Sequence, residues 1–128
     1  MSDELFDKGM TVRKAVLGEA YVARAEANKT DFDADWQRYV AEHAWAAVWT
    51  RPGLEKRTRS MLTIAMLASL GRLDELGLHI RATRNTGVTQ EEVKEVLLQV
   101  AVYAGAPAAN SAFAIAKRVY KEMEGEKK

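Results

Sequence analysis

Apolar residues recur at helical spacing along this chain, and no other feature restricts its fold as strongly. The clearest stripe follows Thr89 at intervals of three or four positions: Val93, Val96, Leu97, Val100 and Ala104. Such a stripe lies along one face of an α-helix. Thr89 and Glu92 have the spacing of a capping box, which begins a helix. No segment alternates apolar and polar residues over a useful length, so the sequence predicts an all-α protein.

Glycine, proline and capping residues divide the chain into six or seven predicted helices. We expect them over residues 2–17, 19–25, 31–51, 55–70, 74–86, 90–104 and 108–123. The helix over 55–70 is apolar nearly all round after its first turns, which predicts a central, buried position. There is no repeat and no low-complexity linker, and 128 residues suit one domain. The sequence therefore predicts a single-domain helical bundle over residues 1–128.

Composition excludes several classes of function. The chain has no cysteine, which excludes disulfides, thiolate metal sites and a cysteine nucleophile. His43 and His79 lie far apart with no duplicated ligand spacing, so no metal site is predicted. A net charge of +1 with interspersed signs gives no reason to expect a nucleic-acid partner. The longest apolar stretch is too short to span a bilayer and the N-terminus does not resemble a signal peptide, so we expect a cytoplasmic protein without membrane association.

His79 and Glu75 form the most promising catalytic pair. They are four residues apart on one predicted helix, so both side chains project from the same side. A carboxylate in this position can orient the imidazole and raise its pKa, which suits a proton donor near neutral pH. The alternatives are an ion pair on the helix surface or a core histidine with satisfied hydrogen bonds. Spacing alone favours these alternatives.

Aromatic and cationic residues supply further candidates. Trp45 and Trp49 share a helix face, which is more often part of a core or an interface than of a site. His43 lies off that face and is expected to be structural. Arg51 and Arg81 stand near helix ends, where a guanidinium can bind a carboxylate in bidentate fashion. Solvated helix surfaces are the alternative for such arginines.

Several stretches together resemble the carboxymuconolactone decarboxylase family, over about residues 5–120. They are Asp7-Lys-Gly-Met-Thr-Val-Arg13-Lys-Ala-Val-Leu-Gly18, Trp49-Thr-Arg51-Pro-Gly-Leu54, Arg57-Thr-Arg59-Ser60, Glu75-Leu-Gly-Leu-His79-Ile-Arg81, Asn85-Thr-Gly87-Val-Thr-Gln-Glu-Glu92 and Tyr103-Ala-Gly105-Ala-Pro107-Ala-Ala-Asn110. The resemblance implies an alkyl hydroperoxidase D-like helical fold. In the peroxidases of that superfamily two cysteines and a glutamate serve the histidine, and those positions match Arg72, Glu75 and Ser60 here. The resemblance therefore favours a decarboxylase over a peroxidase.

The same resemblance implies an activity and roles for residues. It implies cofactor-free decarboxylation of 4-carboxymuconolactone to 3-oxoadipate enol-lactone in protocatechuate catabolism, by a homohexamer. His79 would donate the proton with Glu75 orienting it, Arg51 and Arg81 would bind the anionic substrate, and Trp45 would form an apolar wall. A hexamer also agrees with the apolar surface expected of three tryptophans in so short a chain.

The chain departs from the family's usual pattern at Ala46-Ala47, where relatives carry a glycine and an acidic residue after the tryptophan. An acidic residue is therefore missing at position 47. The departure supports two alternative functions. One is a related enzyme acting on another carboxylated lactone, and the other is a catalytically silent helical scaffold subunit.

Overall fold

The computed structural model of the chain describes residues 2–126, and only the backbone of Ser2. Every regular element in this range is helical, which confirms the all-α prediction. The α-helices are α1 (Ser2–Leu17), α2 (Glu19–Asn28), α3 (Ala34–Val40), α4 (Lys56–Leu70), α5 (Leu73–Arg81), α6 (Thr83–Thr86), α7 (Gln90–Ala104) and α8 (Ala106–Glu126). A π-helical segment, Ala41–Trp49, continues directly from α3. No helix in residues 2–126 combines the length and apolarity needed to cross a membrane.

The helix predicted over 31–51 differs most from the structure. Residues before Ala34 form a turn, in which the Thr30 amide donates to the Asp33 carboxylate at 2.8 Å. Phe32, which the sequence places on the helical face, is 99% exposed as a result. The second half of the segment is π-helical, with more residues per turn than an α-helix. Spacing at three and four positions could not predict this change.

The chain divides into two compact units, one ending at Lys56 and the other beginning at Arg57. That the whole chain acts as one domain stays a prediction. In the first unit α1 packs closely on the π-helical segment. A Cβ atom at Gly9 would overlap the backbone carbonyl of Ala41, so only glycine permits this approach.

The second unit has an apolar core contributed by its long helices. Its buried members are Ile64, Ala68, Leu76, Ile80, Val88, Val93, Leu97, Val100, Ala112, Ala116 and Val119. The predicted capping box is confirmed: the Glu92 amide donates to Thr89 Oγ1 at 3.1 Å, and the Thr89 amide donates to Glu92 Oε1 at 2.9 Å. It fixes the start of α7 and with it the register of the apolar stripe.

Three boundaries in the second unit correct the predictions. The helix predicted over 74–86 begins at Leu73, with Arg72 as its N-cap in place of Asp74, and is interrupted at Ala82. The last helix begins at Ala106 because Pro107 is tolerated in a first turn, where its missing N–H has no helical partner to lose.

The prediction that α4 is buried all round is wrong, since the side chains of Leu62, Met66 and Leu70 are exposed.

Candidate active site

His79 lies at the edge of the buried face of α5. Leu76 and Ile80 are fully buried and Thr83 is nearly so. Gly77 faces α8, where Ile115 and the neighbouring residues would lie 3.6 Å from an added Cβ. This close packing of α5 on α8 holds the imidazole of His79 in a mostly buried position.

Burial determines the charge of His79. Loss of hydration lowers the pKa of His79 from 6.5 to about 4, and the Glu75 carboxylate opposes this with a smaller effect. The sequence predicts a net rise caused by Glu75, and this prediction is wrong in its net direction. The carboxylate acts with the expected sign, but removal from water costs the imidazolium more. At neutral pH His79 is therefore a neutral imidazole, with one ring nitrogen as donor and the other as acceptor.

Glu75 faces solvent one turn before His79. Its side chain lines a hollow of about 310 Å³ at the start of α5, together with Gly71, Arg72, Leu73 and Asp74. Glu75 and Asp74 also lie in the first turn of α5, where negative charge interacts favourably with the helix dipole. Glu75 therefore acts on His79 by charge from the solvent side of the helix.

Arg81 is bound by carboxylates of α8. Its Nη2 lies 2.7 Å from Glu122 Oε1, and its Nη1 donates to Glu126. Arg84 Nη1 also donates to Glu126, at 3.1 Å. Hydrogen bonds from Arg81 and then Arg84 lower the pKa of Glu126. A substrate carboxylate that binds Arg81 would share the guanidinium with these glutamates or replace one of them, and the role of Arg81 stays a prediction.

The first unit holds the aromatic candidates on the π-helical segment. The rings of Trp45 and Trp49 lie 5.1 Å apart at 31°, so the predicted shared face is confirmed, and Trp45 is buried. Thr50 Oγ1 donates to the Ala46 carbonyl at 2.5 Å and helps to end the segment. Arg51 follows with its side chain exposed. π-Helical segments are rare and occur often at functional sites. Trp45 lies on this segment and Arg51 follows it, so both remain candidate site residues.

His43, Ala46 and Ala47 are the remaining residues of the first unit that the sequence singled out. His43 is exposed, and its ring lies 4.6 Å from that of Tyr39, which agrees with the structural role expected for it. Ala46 is buried, whereas Ala47 is exposed. An acidic side chain at position 47 would therefore meet solvent on this segment.

Sequence reasoning missed a hydroxyl pair in the second unit, formed by Thr86 and Ser60. Thr86 Oγ1 donates to the Oγ of Ser60, a fully buried residue of α4, at 3.0 Å. Burial raises the pKa of Tyr120, and the Thr83 hydroxyl offsets part of this rise. No local pattern could have found this pair, because Thr86 and Ser60 lie 26 residues apart along the chain.

The model of the carboxymuconolactone decarboxylase family matches residues 34–118, about two thirds of the chain. This chain belongs to that family. The matched range contains all five candidate residues: Trp45, Arg51, Glu75, His79 and Arg81.

Two relatives in the carboxymuconolactone decarboxylase family are similar over nearly the whole chain. The 4-carboxymuconolactone decarboxylase of Acinetobacter baylyi is 48% identical over 124 residues, which cover 96% of this chain and 92% of that protein. The nitrosuccinic acid decarboxylase of Metarhizium robertsii is 42% identical over 119 residues, which cover 93% of this chain and 83% of that protein. Both relatives are named as decarboxylases, and decarboxylases are carboxy-lyases.

Acidic and histidine residues are spread widely in this member of the carboxymuconolactone decarboxylase family. Across residues 2–126 no three side chains of the metal-binding types converge on one point. In the second unit the neutral imidazole of His79 has the Glu75 carboxylate one helical turn away. This pair can hold and move a proton.

Proposed function

We propose that this chain is a cofactor-free decarboxylase that converts 4-carboxymuconolactone to 3-oxoadipate enol-lactone. The observation that carries the proposal is 48% identity with a 4-carboxymuconolactone decarboxylase over 92% of that protein's length. The buried imidazole of His79 lies within the range matched by the family model. Membership of the family and a proton-carrying group therefore point to the same chemistry.

The substrate can supply its own electron sink. Its departing carboxylate sits on the carbon γ to the lactone carbonyl, with a carbon–carbon double bond between them. When the bond to CO₂ breaks, its electron pair moves through the double bond to the carbonyl oxygen and gives a dienolate. A proton then adds to the α-carbon and the enol-lactone forms. The electrons stay within the substrate, so the protein has to supply binding, charge stabilisation and one proton.

We assign the proton to His79. A neutral imidazole is the resting state, because burial lowers the pKa of His79 to about 4. The substrate carries two carboxylates, and an adjacent negative charge favours the protonated form. Binding of the dianion would therefore raise the pKa of His79, which takes up a proton with the substrate and delivers it to the α-carbon. Glu75 assists, since its charge already acts in that direction.

The remaining roles concern binding. Arg51 is exposed and binds a substrate carboxylate as a planar, bidentate donor. Arg81 binds the lactone oxygen or the second carboxylate by exchanging one of its glutamate partners on α8. Trp45 provides an apolar surface against which the departing carboxylate is poorly solvated.

Turnover of 4-carboxymuconolactone tests the proposal, followed by the loss of ultraviolet absorption of the unsaturated lactone. We expect His79→Ala to reduce kcat by roughly 10²–10⁴-fold, the contribution of a positioned acid. His43→Ala is the matched control and should retain normal turnover, because His43 is exposed and its ring contacts only that of Tyr39 among the ring pairs of the described part of the first unit. Near-normal kcat in His79→Ala would remove His79 from the mechanism. No turnover by the native chain would overturn the assignment of the substrate.

A second substrate is supported by one relative, the nitrosuccinic acid decarboxylase at 42% identity. In nitrosuccinate the nitro group takes the electron pair left by CO₂, so the substrate again provides its own sink. The departure from the family pattern at Ala46-Ala47 supports a third candidate substrate, another carboxylated lactone. A parallel assay of all three substrate types, with the native chain and Ala47→Asp, separates these candidates. A folded chain that turns over none of them would favour a silent scaffold subunit.

The proposal also covers the oligomeric state, the cellular location and the metabolic pathway. We propose a cytoplasmic homohexamer that acts in the 3-oxoadipate pathway. Light scattering at micromolar concentration tests the assembly. A mass equal to one chain, 14.3 kDa, would contradict it.

A further inference from the structure

Large apolar side chains are exposed on two neighbouring helices of the second unit. On α4 they form a stripe spaced by four residues, with Leu62, Met66 and Leu70 exposed by 43%, 58% and 71%. On α7 the exposed residues are Leu98, Val102 and Tyr103. We call these six residues the α4–α7 face.

The α4–α7 face is large for a surface left to water. Each large side chain offers on the order of 100 Å² when exposed, so the six together present on the order of 600 Å² of apolar area. That reaches the upper end of the largest apolar patch on a typical monomer. It also approaches the ~800 Å² that each partner buries in a standard protein–protein interface.

The α4–α7 face includes a ridge and borders a groove. The groove lies between the two helices and has a volume of about 340 Å³. Its lining residues are Thr58, Met61, Leu62, Ala65, Glu95, Val96 and Gln99, of which Glu95 is charged. The ridge is the α4 stripe, which borders the groove at Leu62 and extends beyond it through Met66 and Leu70.

A surface with a ridge beside a groove can bind a copy of itself. Across a two-fold axis, the ridge of each copy meets the groove of the other, so both contacts form at once. Because the lining has little charge, two copies would not place many like charges opposite each other. We infer that the α4–α7 face is a two-fold interface between two copies of this chain. The inference names the surface used by the homo-oligomer proposed above and rests on that proposal.

Cysteine cross-linking tests this geometry directly, since the chain has no cysteine. Leu62→Cys, Met66→Cys and Leu70→Cys sample the ridge at successive turns. Under oxidising conditions or with a short bis-maleimide, at least one should give a covalent dimer. Phe32→Cys is the control, because Phe32 is an exposed apolar residue that lies on neither α4 nor α7. Cross-linking no stronger in all three ridge variants than in Phe32→Cys would overturn the inference.

Met66→Glu provides a second, independent measurement. A two-fold interface would bury two new carboxylates, so we expect the dissociation constant of the assembly to rise by at least about a hundredfold. Sedimentation should show smaller particles, with unchanged circular dichroism and with Phe32→Glu assembling normally. If the native chain assembles and Met66→Glu retains its mass, the α4–α7 face is not the interface, although the homo-oligomer stands. A monomeric native chain would overturn both, whereas lactone turnover does not enter this test.

Discussion

Acidification should destabilise the folded chain through His79. Burial lowers the pKa of this imidazole from 6.5 in the unfolded chain to about 4 in the folded one. Between these values the unfolded chain binds a proton that the folded chain does not, so the free energy of unfolding falls as the pH falls. Above pH 6.5 both states are neutral at this position and the full stability is present. Below about pH 4 both are protonated and the loss is complete.

The size of this effect follows from the difference between the two pKa values. Each unit corresponds to about 1.4 kcal/mol, so the complete loss is about 3 kcal/mol. About 2 kcal/mol of it falls between pH 7 and pH 5. Domains of this size are stable by about 5–15 kcal/mol, so the change is easily measured.

Urea unfolding of the native chain and of His79→Gln, followed by circular dichroism at pH 7 and pH 5, measures this contribution. Acidic side chains affect both proteins alike, so the difference between their pH responses isolates the imidazole. The variant should lose about 2 kcal/mol less than the native chain over this range. Equal losses in the native chain and His79→Gln, or a His79 resonance that titrates near 6.5, would refute the reasoning.

Three further predictions concern stability and are measured by urea unfolding. Gly9→Ala should destabilise the chain by about 1–3 kcal/mol, because its Cβ overlaps the Ala41 backbone although alanine is the better helix former; Gly53→Ala, with open space around it, is the control and should change little. Thr89→Ala should cost about 1 kcal/mol through loss of the cap, and no loss would remove the capping box as a stabilising feature. Leu97→Ala should cost about 2–5 kcal/mol, because the side chain is fully buried; a smaller loss would mean that the core collapses around the cavity.

Local patterns predicted much of the fold. The apolar stripe that follows Thr89 became the buried face of α7, with Val93, Leu97 and Val100 in the core. Spacing likewise identified the capping box of Thr89 and Glu92, which the structure contains. These predictions succeeded because each depends on residues within two helical turns of one another.

Predictions that depended on distant residues failed. The apolar composition of α4 predicts burial on all sides, but its Leu62–Met66–Leu70 stripe remains exposed. The exposure of a side chain depends on what packs against it, and composition describes only one of the two partners. The close approach of Gly9 to Ala41 is of the same kind, since nothing in the sequence near either residue indicates the other.

The candidate site shows the same division between local and distant information. Helical spacing placed Glu75 correctly beside His79, and its charge acts with the predicted sign. The carboxylates that bind Arg81 lie 41 and 45 residues along the chain, so no local pattern could reveal them. Arg81 could therefore be identified as a cation from the sequence, but not as one already bound by glutamates.

His79 shows why the local part of a site can mislead about its chemistry. Its neighbour four residues earlier favours a charged imidazolium, whereas the core packed around α5 favours a neutral imidazole, and burial has the larger effect. A histidine kept neutral in this way cannot act as an acid at neutral pH until another negative charge approaches. A dianionic substrate brings such a charge, so the proton would be taken up only when the substrate that is to receive it is bound. The desolvation that destabilises the protonated resting site would then make protonation depend on the bound substrate.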